Sequence, residues 1–319
     1  MKAIRVHDFG GPEVLKLEEV TKPIPGKGEV VVAVKAIGIN PVETYLRSGS
    51  NPKLPRPYTP GLDTAGLVEA VGEGVTNVQP SDRVYTADSI SGAYAEFTLC
   101  KADDVHKLPD NISFEEAAGL NIPYATAYRA LFQKAKAQPG ETVFVHGASG
   151  GVGTAAIQWC KMHGIRVIGT GGTDEGRKLA REQGADEVLD HRSPTYLEEL
   201  TRLTNGRGPD VILEMLSNVN LGKDLGVLAP NGRIVIIGSR GKVEITPRDA
   251  MAREAAIYGL MLFNASPAEL RAIHAAIYAG LKNGGLRPIV GKKFPLAKAV
   301  EAHQAVLAPG AYGKIILIP

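Results

Sequence analysis

At 319 residues the chain is long enough for two domains; 44% apolar residues can fill their cores and 22% charged residues keep the surface wet. Lys and Arg total 36 against 34 Asp and Glu, a formal net charge of +2 with no long runs, so no electrostatic footprint for nucleic acid or an acidic membrane stands out. Cys100 and Cys160 form no paired motif, which points to free thiols in a reducing compartment, with cytoplasm as the default. Residues 1–11 (MKAIRVHDFGG) lack an apolar signal core, and no stretch approaches the roughly eighteen apolar residues of a membrane span.

In chain order, residues 2–6, 29–34, 64–71, 83–86 and 94–99 are strand-like runs between Gly and Pro turns, which predicts a β-rich domain. Ser113 and Glu116 make a capping box for a short helix, and residues 124–134 (YATAYRALFQK) read as a longer one. The period then changes. Strands starting at Thr142, Arg166, Glu187, Asp210, Arg233 and Ala256 alternate with helical stretches, the pattern of a six-stranded doubly wound sheet. Ser266-Pro267 starts a helix in which Leu270, Ile273, Ile277 and Leu281 recur at helical spacing until Gly284 and Gly285. A last helix near 297–307 and a strand at 314–318 return to the first domain. The fold class is therefore α/β: a β-rich domain at 1–122 completed by 266–319, and a Rossmann-type sheet at 123–265.

Residues 142–153 (TVFVHGASGGVG) carry the most specific chemistry. An apolar strand runs into a glycine-rich turn, and the helix that follows can seat a dinucleotide pyrophosphate on its N-terminus. The three-glycine spacing appears as Ala148-x-Gly150-x-x-Gly153, and residues 166–170 supply the second strand of the βαβ unit. Enzymes for the unphosphorylated cofactor usually place an acid near the end of that strand. Here Thr170, Gly171, Gly172 and Thr173 stand there, with Arg177, Lys178, His191 and Arg192 as nearby candidates for a 2′-phosphate, so NADPH is favoured over NADH. Asp174 and Glu175 oppose that reading, but they also suit the start of the next helix.

The chain resembles the zeta-crystallin family of zinc-free quinone oxidoreductases in the medium-chain dehydrogenase/reductase superfamily. The resemblance spans essentially the whole length and rests on residues 9–17 (FGGPEVLKL), 40–49 (NPVETYLRSG), 58–61 (YTPG), 122–131 (IPYATAYRAL), 146–153, 214–220 (EMLSNVN) and 238–241 (GSRG). It implies a GroES-like catalytic domain, a Rossmann-type NADPH domain and a cleft between them. Metal-dependent relatives hold catalytic zinc with a Cys and with the His of a Gly-His-Glu segment; the counterparts here are Asn40 and Gly61-Leu62-Asp63. Leu62 cannot ligate a metal, the four-cysteine lobe for structural zinc is missing, and the seven histidines sit singly, so no metal is expected. One departure from the superfamily pattern is Ser81 before Asp82, where a glycine is usual.

By the same resemblance Asn40, Tyr45 and Thr126 lie around the nicotinamide and substrate, with Tyr45 orienting the cofactor or donating to an acceptor oxygen. Asn40-Pro41 also reads as an ordinary turn, and Thr126 as an ordinary helix residue. The implied cofactor contacts are Ser149, Gly150, Gly151, Val152 and Gly153 at the pyrophosphate, and Gly172 and His191 at the adenosine phosphate. Asn220, Ile237, Gly238, Ser239, Arg240, Leu260, Met261 and Leu262 would approach the ribose and nicotinamide. Without zinc to stabilise charge, carbonyl reduction is disfavoured and easily reduced acceptors, quinones and enones, are expected. The family implies one-electron reduction of ortho- and para-quinones to semiquinones. The alternatives are an NADPH-dependent enone or alkenal reductase, a crystallin-like structural protein, or an AU-rich RNA binder, although no RNA-recognition signature is present. Residues 256–263 (AIYGLMLF), apolar on both faces at the end of the sheet, together with the resemblance imply a homodimer or homotetramer.

Overall fold

The computed structural model describes residues 1–319, which form two compact units. The first comprises Met1–Ile122, Ile277–Ala308 and Gly313–Pro319; the second comprises Pro123–Ala276 and Pro309–Tyr312. The helix Pro267–Lys282 has its first turns in the second unit and its end in the first. Arg129 explains this, because its guanidinium pairs with Glu269 at 2.8 Å while Gln133 donates to the Glu269 carbonyl at 3.2 Å. Likewise Ser149 Oγ donates to the Ala311 carbonyl at 2.7 Å, which draws residues 309–312 to the glycine turn.

In the first unit a seven-stranded sheet runs in the order Val290–Pro295, Lys314–Ile318, Glu29–Gly38, Asp63–Val71, Arg83–Thr86 and Val105–Lys107, with Phe97–Lys101 also paired to Glu29–Gly38. The Val-rich run of Glu29–Gly38 is buried on both faces, since its residues meet the cluster around Val30, Val68 and Val84 and the cluster around Ile37, Tyr94 and Leu317. The strand expected at 94–99 is displaced to Phe97–Lys101. Tyr94 leaves the ladder for a buried hydrogen-bonded cluster, and Ala95 makes only an isolated bridge to Ala3.

Residues 41–47 form a helix, Pro41–Arg47, where Asn40-Pro41 also suited a simple turn. Pro at the first helical position and Glu43 at the third, its Oε2 accepting the Asn40 amide at 3.0 Å, hold its start. Ser81 has φ 72°, the left-handed conformation for which the superfamily's glycine is suited.

The second unit is a six-stranded parallel sheet in the order Glu187–Leu189, Arg166–Thr170, Thr142–Val145, Val211–Glu214, Arg233–Ile236 and Ala256–Gly259. The order reverses between Thr142–Val145 and Val211–Glu214, which creates the crevice where doubly wound sheets bind their ligands. The stretch 124–134 is not one α-helix: Thr126–Tyr128 is flanked by wider π turns at Asn121–Ala125 and Arg129–Lys134. The Tyr124 carbonyl also accepts the Trp159 indole N–H at 3.2 Å, the kind of inserted partner that loosens a helical ladder. At the sheet edge Ile257 and Tyr258 are 37% and 38% exposed, and beyond the strand Met261 and Phe263 are 53% and 52% exposed. No helix is long and apolar enough to cross a membrane.

Candidate active site

The strand Thr142–Val145 delivers the chain to Gly147 at φ 61°, and the turn feeds the helix Gly151–Met162, which starts at Gly150 without a side-chain cap. Its first-turn amides are therefore left for a ligand, the arrangement that binds phosphate at a helix N-terminus. A Cβ at Gly153 would lie 2.4 Å from the Gly147 carbonyl oxygen, so only glycine allows the helix this close to the turn. Thr170 fixes the turn from the neighbouring strand: its hydroxyl accepts the Gly147 amide at 3.1 Å and its carbonyl accepts the Ala148 amide at 2.8 Å. Val152 is half-buried, and the buried Ser149 is tied to Ala311. These residues fit a dinucleotide pyrophosphate.

At the end of the second strand, Gly172 leaves room for His191, whose Nε2 would be 2.9 Å from a Cβ there. The cations expected here are already paired. Arg177 meets Asp190 at 3.0 Å and also Asp174, and Arg192 meets Asp190 at 3.2 Å. Arg192 donates to Asp190 and holds its carboxyl down to about 2. Lys178 is largely exposed beside Glu182.

Around the crevice floor, Asn220 Nδ2 donates to Glu214 Oε1 at 3.2 Å, and the Ile237 and Gly238 amides donate to the Glu214 carbonyl at 2.9 and 3.2 Å. The Arg240 amide donates to Asn218 Oδ1, and Ser239 Oγ to the Gly241 carbonyl. Leu260 continues the edge strand through its amide to the Ile236 carbonyl; Met261 is exposed and Leu262 is buried. Thr126 is buried in its short helix.

In the first unit the structure surrounds Asn40 with a buried polar cluster. Asn40 Nδ2 donates to Asp63 Oδ2 at 3.1 Å and to Glu43 Oε1 at 3.2 Å, while its Oδ1 accepts the Lys314 ammonium. The amide thus has all its donors and its acceptor engaged inside the protein. Lys314 also meets Asp63 Oδ2 at 3.0 Å, and Asp63 Oδ1 accepts from Asn121 Nδ2 and the Ile122 amide, each at 3.1 Å. Gly38 makes the approach possible, since a Cβ there would fall 2.7 Å from Lys314 Cε and 1.9 Å from the Ala118 carbonyl oxygen.

Glu43 closes the cluster, accepting the Asn40 amide, Asn40 Nδ2, the Leu62 amide at 3.2 Å and the Tyr94 hydroxyl at 2.5 Å. Burial pushes its carboxyl up to about 7, against the pull of Tyr94, the Asn40 amide and Lys314. Behind Tyr94, His303 Nε2 lies 3.0 Å from the phenolic oxygen, and Arg47 Nη1 lies 3.3 Å from His303 Nδ1. Because Arg47 can only donate and Tyr94 spends its proton on Glu43, the neutral imidazole carries its proton on Nε2. Burial, helped by Arg47, lowers His303 to about 4.

A zinc ion does not fit this place. Leu62 offers no donor, and the ammonium of Lys314 already occupies the position between Asn40 and Asp63. Glu43 and Leu62 instead line a cavity of about 470 Å³ with Leu46, Leu54, Tyr58 and Ile90. Tyr45 lies half-buried on the helix Pro41–Arg47.

The residues the sequence reading missed are mainly those of this cluster: Glu43, Asp63, Tyr94, His303 and Lys314. Glu43 was detectable through the Asn-Pro-x-Glu helix start. Lys314 was not, because 251 residues separate it from Asp63.

Residues 26–110 match the alcohol dehydrogenase GroES-like domain, and residues 151–277 match the zinc-binding dehydrogenase family, whose name does not suit the donor set just described. Human quinone oxidoreductase is 47% identical over 100% of this chain and 98% of its own length. The Escherichia coli quinone oxidoreductase complexed with NADPH superposes with a TM-score of 0.90 at 32% identity, covering 100% of both chains. An NAD-dependent alcohol dehydrogenase superposes at 0.93 with 31% identity, again over 100% of both. With full-length similarity of this kind and both domains matched, the chain belongs to the quinone oxidoreductase family of the medium-chain dehydrogenase/reductase superfamily.

Proposed function

We propose that the protein is an NADPH-dependent, zinc-independent quinone reductase, with one-electron reduction of ortho- and para-quinones as its reaction. The observation that carries this reading is the pairing of an open helix N-terminus at Gly150 with a buried ammonium where relatives hold zinc. The bound cofactor supplies the reducing equivalents. The protein's residues hold and orient: Ser149, Gly150, Gly151, Val152 and Gly153 take the pyrophosphate, and Gly172 and His191 receive the adenosine phosphate. Asn220, residues 237–240 and residues 260–262 take the nicotinamide half. Arg177 would exchange one of its two acidic partners for the 2′-phosphate.

Within this reading Tyr45 orients the cofactor or donates to the acceptor oxygen, and Thr126 approaches the nicotinamide. Asn40 is assigned a positioning role, because its amide has no donor left to offer. Quinones need no metal to accept electrons, so precise placement of the donor is the main demand on the protein. The exposed apolar edge at Ile257, Tyr258, Met261 and Phe263 supports assembly as a homodimer or homotetramer.

Fluorescence titration with both nucleotides tests the cofactor assignment. NADPH should bind more tightly than NADH at moderate salt, and equal or tighter NADH binding would overturn it.

A further inference from the structure

His146, Glu214 and Asp224 form a second buried cluster, in the dinucleotide-binding unit. Their nitrogen and oxygen atoms lie within 4.8 Å of one another, and all three residues are buried. His146 Nε2 lies 2.8 Å from Asp224 Oδ1 and 3.3 Å from Glu214 Oε2. Glu214 Oε2 and Asp224 Oδ2 are buried without any donor. Two ionised carboxylates in this state would be strongly unfavourable, and the neutral imidazole has a single N–H to give. One proton held between the two acids removes the conflict, leaving the triad with one negative charge.

The place of the triad gives that proton a consequence. His146 follows the strand Thr142–Val145 and immediately precedes the glycine turn, while Glu214 ends the adjacent strand Val211–Glu214, so the two straddle the reversal in strand order. Glu214 Oε1 accepts the Leu216 amide and Asn220 Nδ2, and its carbonyl accepts the Ile237 and Gly238 amides. The Glu214 side chain thus holds the segment that follows its own strand, at Leu216 and Asn220, while its backbone carbonyl holds the neighbouring segment at Ile237 and Gly238.

We propose that a proton shared by Glu214 and Asp224 positions these loops for the dinucleotide, so that its loss weakens cofactor binding. The inference rests on the cofactor site assigned above. Glu214 and Asp224 are positioning residues. Burial raises the carboxyls of the pair and lowers His146, so the shared proton is lost as the pH rises. The other charged or titratable groups acting on the triad are Lys223, which favours the charged acid at Asp224, and Tyr196, a phenol raised to about 12 by its burial and by both acids. His146 also disfavours the charged form of His191, and Lys223 that of His146.

Dissociation constants for NADPH and NADH, measured by fluorescence at about pH 6 and about pH 9, test the proposal on the full chain. Wild type should bind both nucleotides about three- to tenfold more weakly at the higher pH, the size of one lost hydrogen bond. NADH is needed because it has no 2′-phosphate of its own to titrate. Glu214→Gln and Asp224→Asn each replace the shared proton with a fixed N–H. Both should retain the low-pH affinity and lose the pH dependence.

Unchanged NADH affinity across this range in wild type would overturn the inference while leaving the proposed function intact. A Glu214→Gln protein that keeps the wild-type slope, or that loses binding at the lower pH, would overturn it too. So would a stoichiometric divalent cation in wild type that Glu214→Gln releases. Failure of wild type to bind either nucleotide would instead contradict the cofactor assignment itself.

Discussion

The two buried polar clusters solve the same electrostatic problem differently. In the GroES-like unit Asp63 and Glu43 each accept four hydrogen bonds, and Lys314 supplies a positive charge inside the cluster. In the dinucleotide-binding unit Glu214 and Asp224 lie against a neutral histidine and leave two oxygens without donors. The first cluster is balanced by its donors and its cation. The second needs a proton, so it responds to pH. A buried acid pushed up to about 7 is found in both, at Glu43 and at Glu214, so burial alone does not distinguish them; the supply of donors does.

The largest expected effect comes from removing the cation. Lys314→Met should destabilise the protein by about 3–5 kcal/mol in urea unfolding, because it leaves Asp63 charged, buried and unpaired. Asp63→Asn added to Lys314→Met should recover part of that loss. A single mutant within about 1 kcal/mol of wild type would mean the ammonium is not what balances the cluster.

The second cluster should behave in the opposite manner. A carboxyl whose pKa is higher in the folded than in the unfolded chain binds more protons when folded, so stability falls as the pH rises from about 4.5 to about 7. Glu214→Gln should remove the triad's share of that fall, on the order of 2–3 kcal/mol, and leave the share of Glu43 in place. If urea unfolding gives wild type and Glu214→Gln the same pH slope, the shared proton is refuted.

The smallest effect serves as a control outside both clusters. Ser81 holds φ 72°, a conformation that costs a non-glycine residue about 1–2 kcal/mol, while glycine loses about 0.4–1 kcal/mol more entropy on folding. Ser81→Gly should therefore raise stability by about 0.5–1 kcal/mol without changing the pH slope. A change in that slope would show that stability differences alone move it, and the Glu214→Gln comparison would lose its meaning.

Much of the fold was legible because its signals are local. The six parallel strands, the glycine turn, the Ser113–Glu116 capping box and the final strand Lys314–Ile318 all announce themselves within short windows. The glycine cradle was equally clear, since glycine spacing encodes a backbone approach directly. The helix Pro41–Arg47 carried its own start signal, which the turn-like Asn40-Pro41 pair obscured.

Neither buried cluster could be read in advance. His146 and Asp224 are 78 residues apart, and His303 lies 209 residues from Tyr94, so no spacing rule connects them. The histidines that sit singly in the sequence are, at 146 and 303, parts of cooperative networks once the chain is folded. Asn40 shows the converse limit: the resemblance marks it as a reaction-site residue, whereas its amide is consumed in holding Lys314, Asp63 and Glu43 together.

The central claim is that Lys314 and its partners stand where relatives use zinc, and that reduction proceeds without a metal. NADPH oxidation with 9,10-phenanthrenequinone, followed before and after exhaustive chelation, addresses it most directly. Turnover should be unchanged after treatment with EDTA, and elemental analysis should find no stoichiometric zinc. Activity that disappears on chelation and returns when zinc is added would contradict the account.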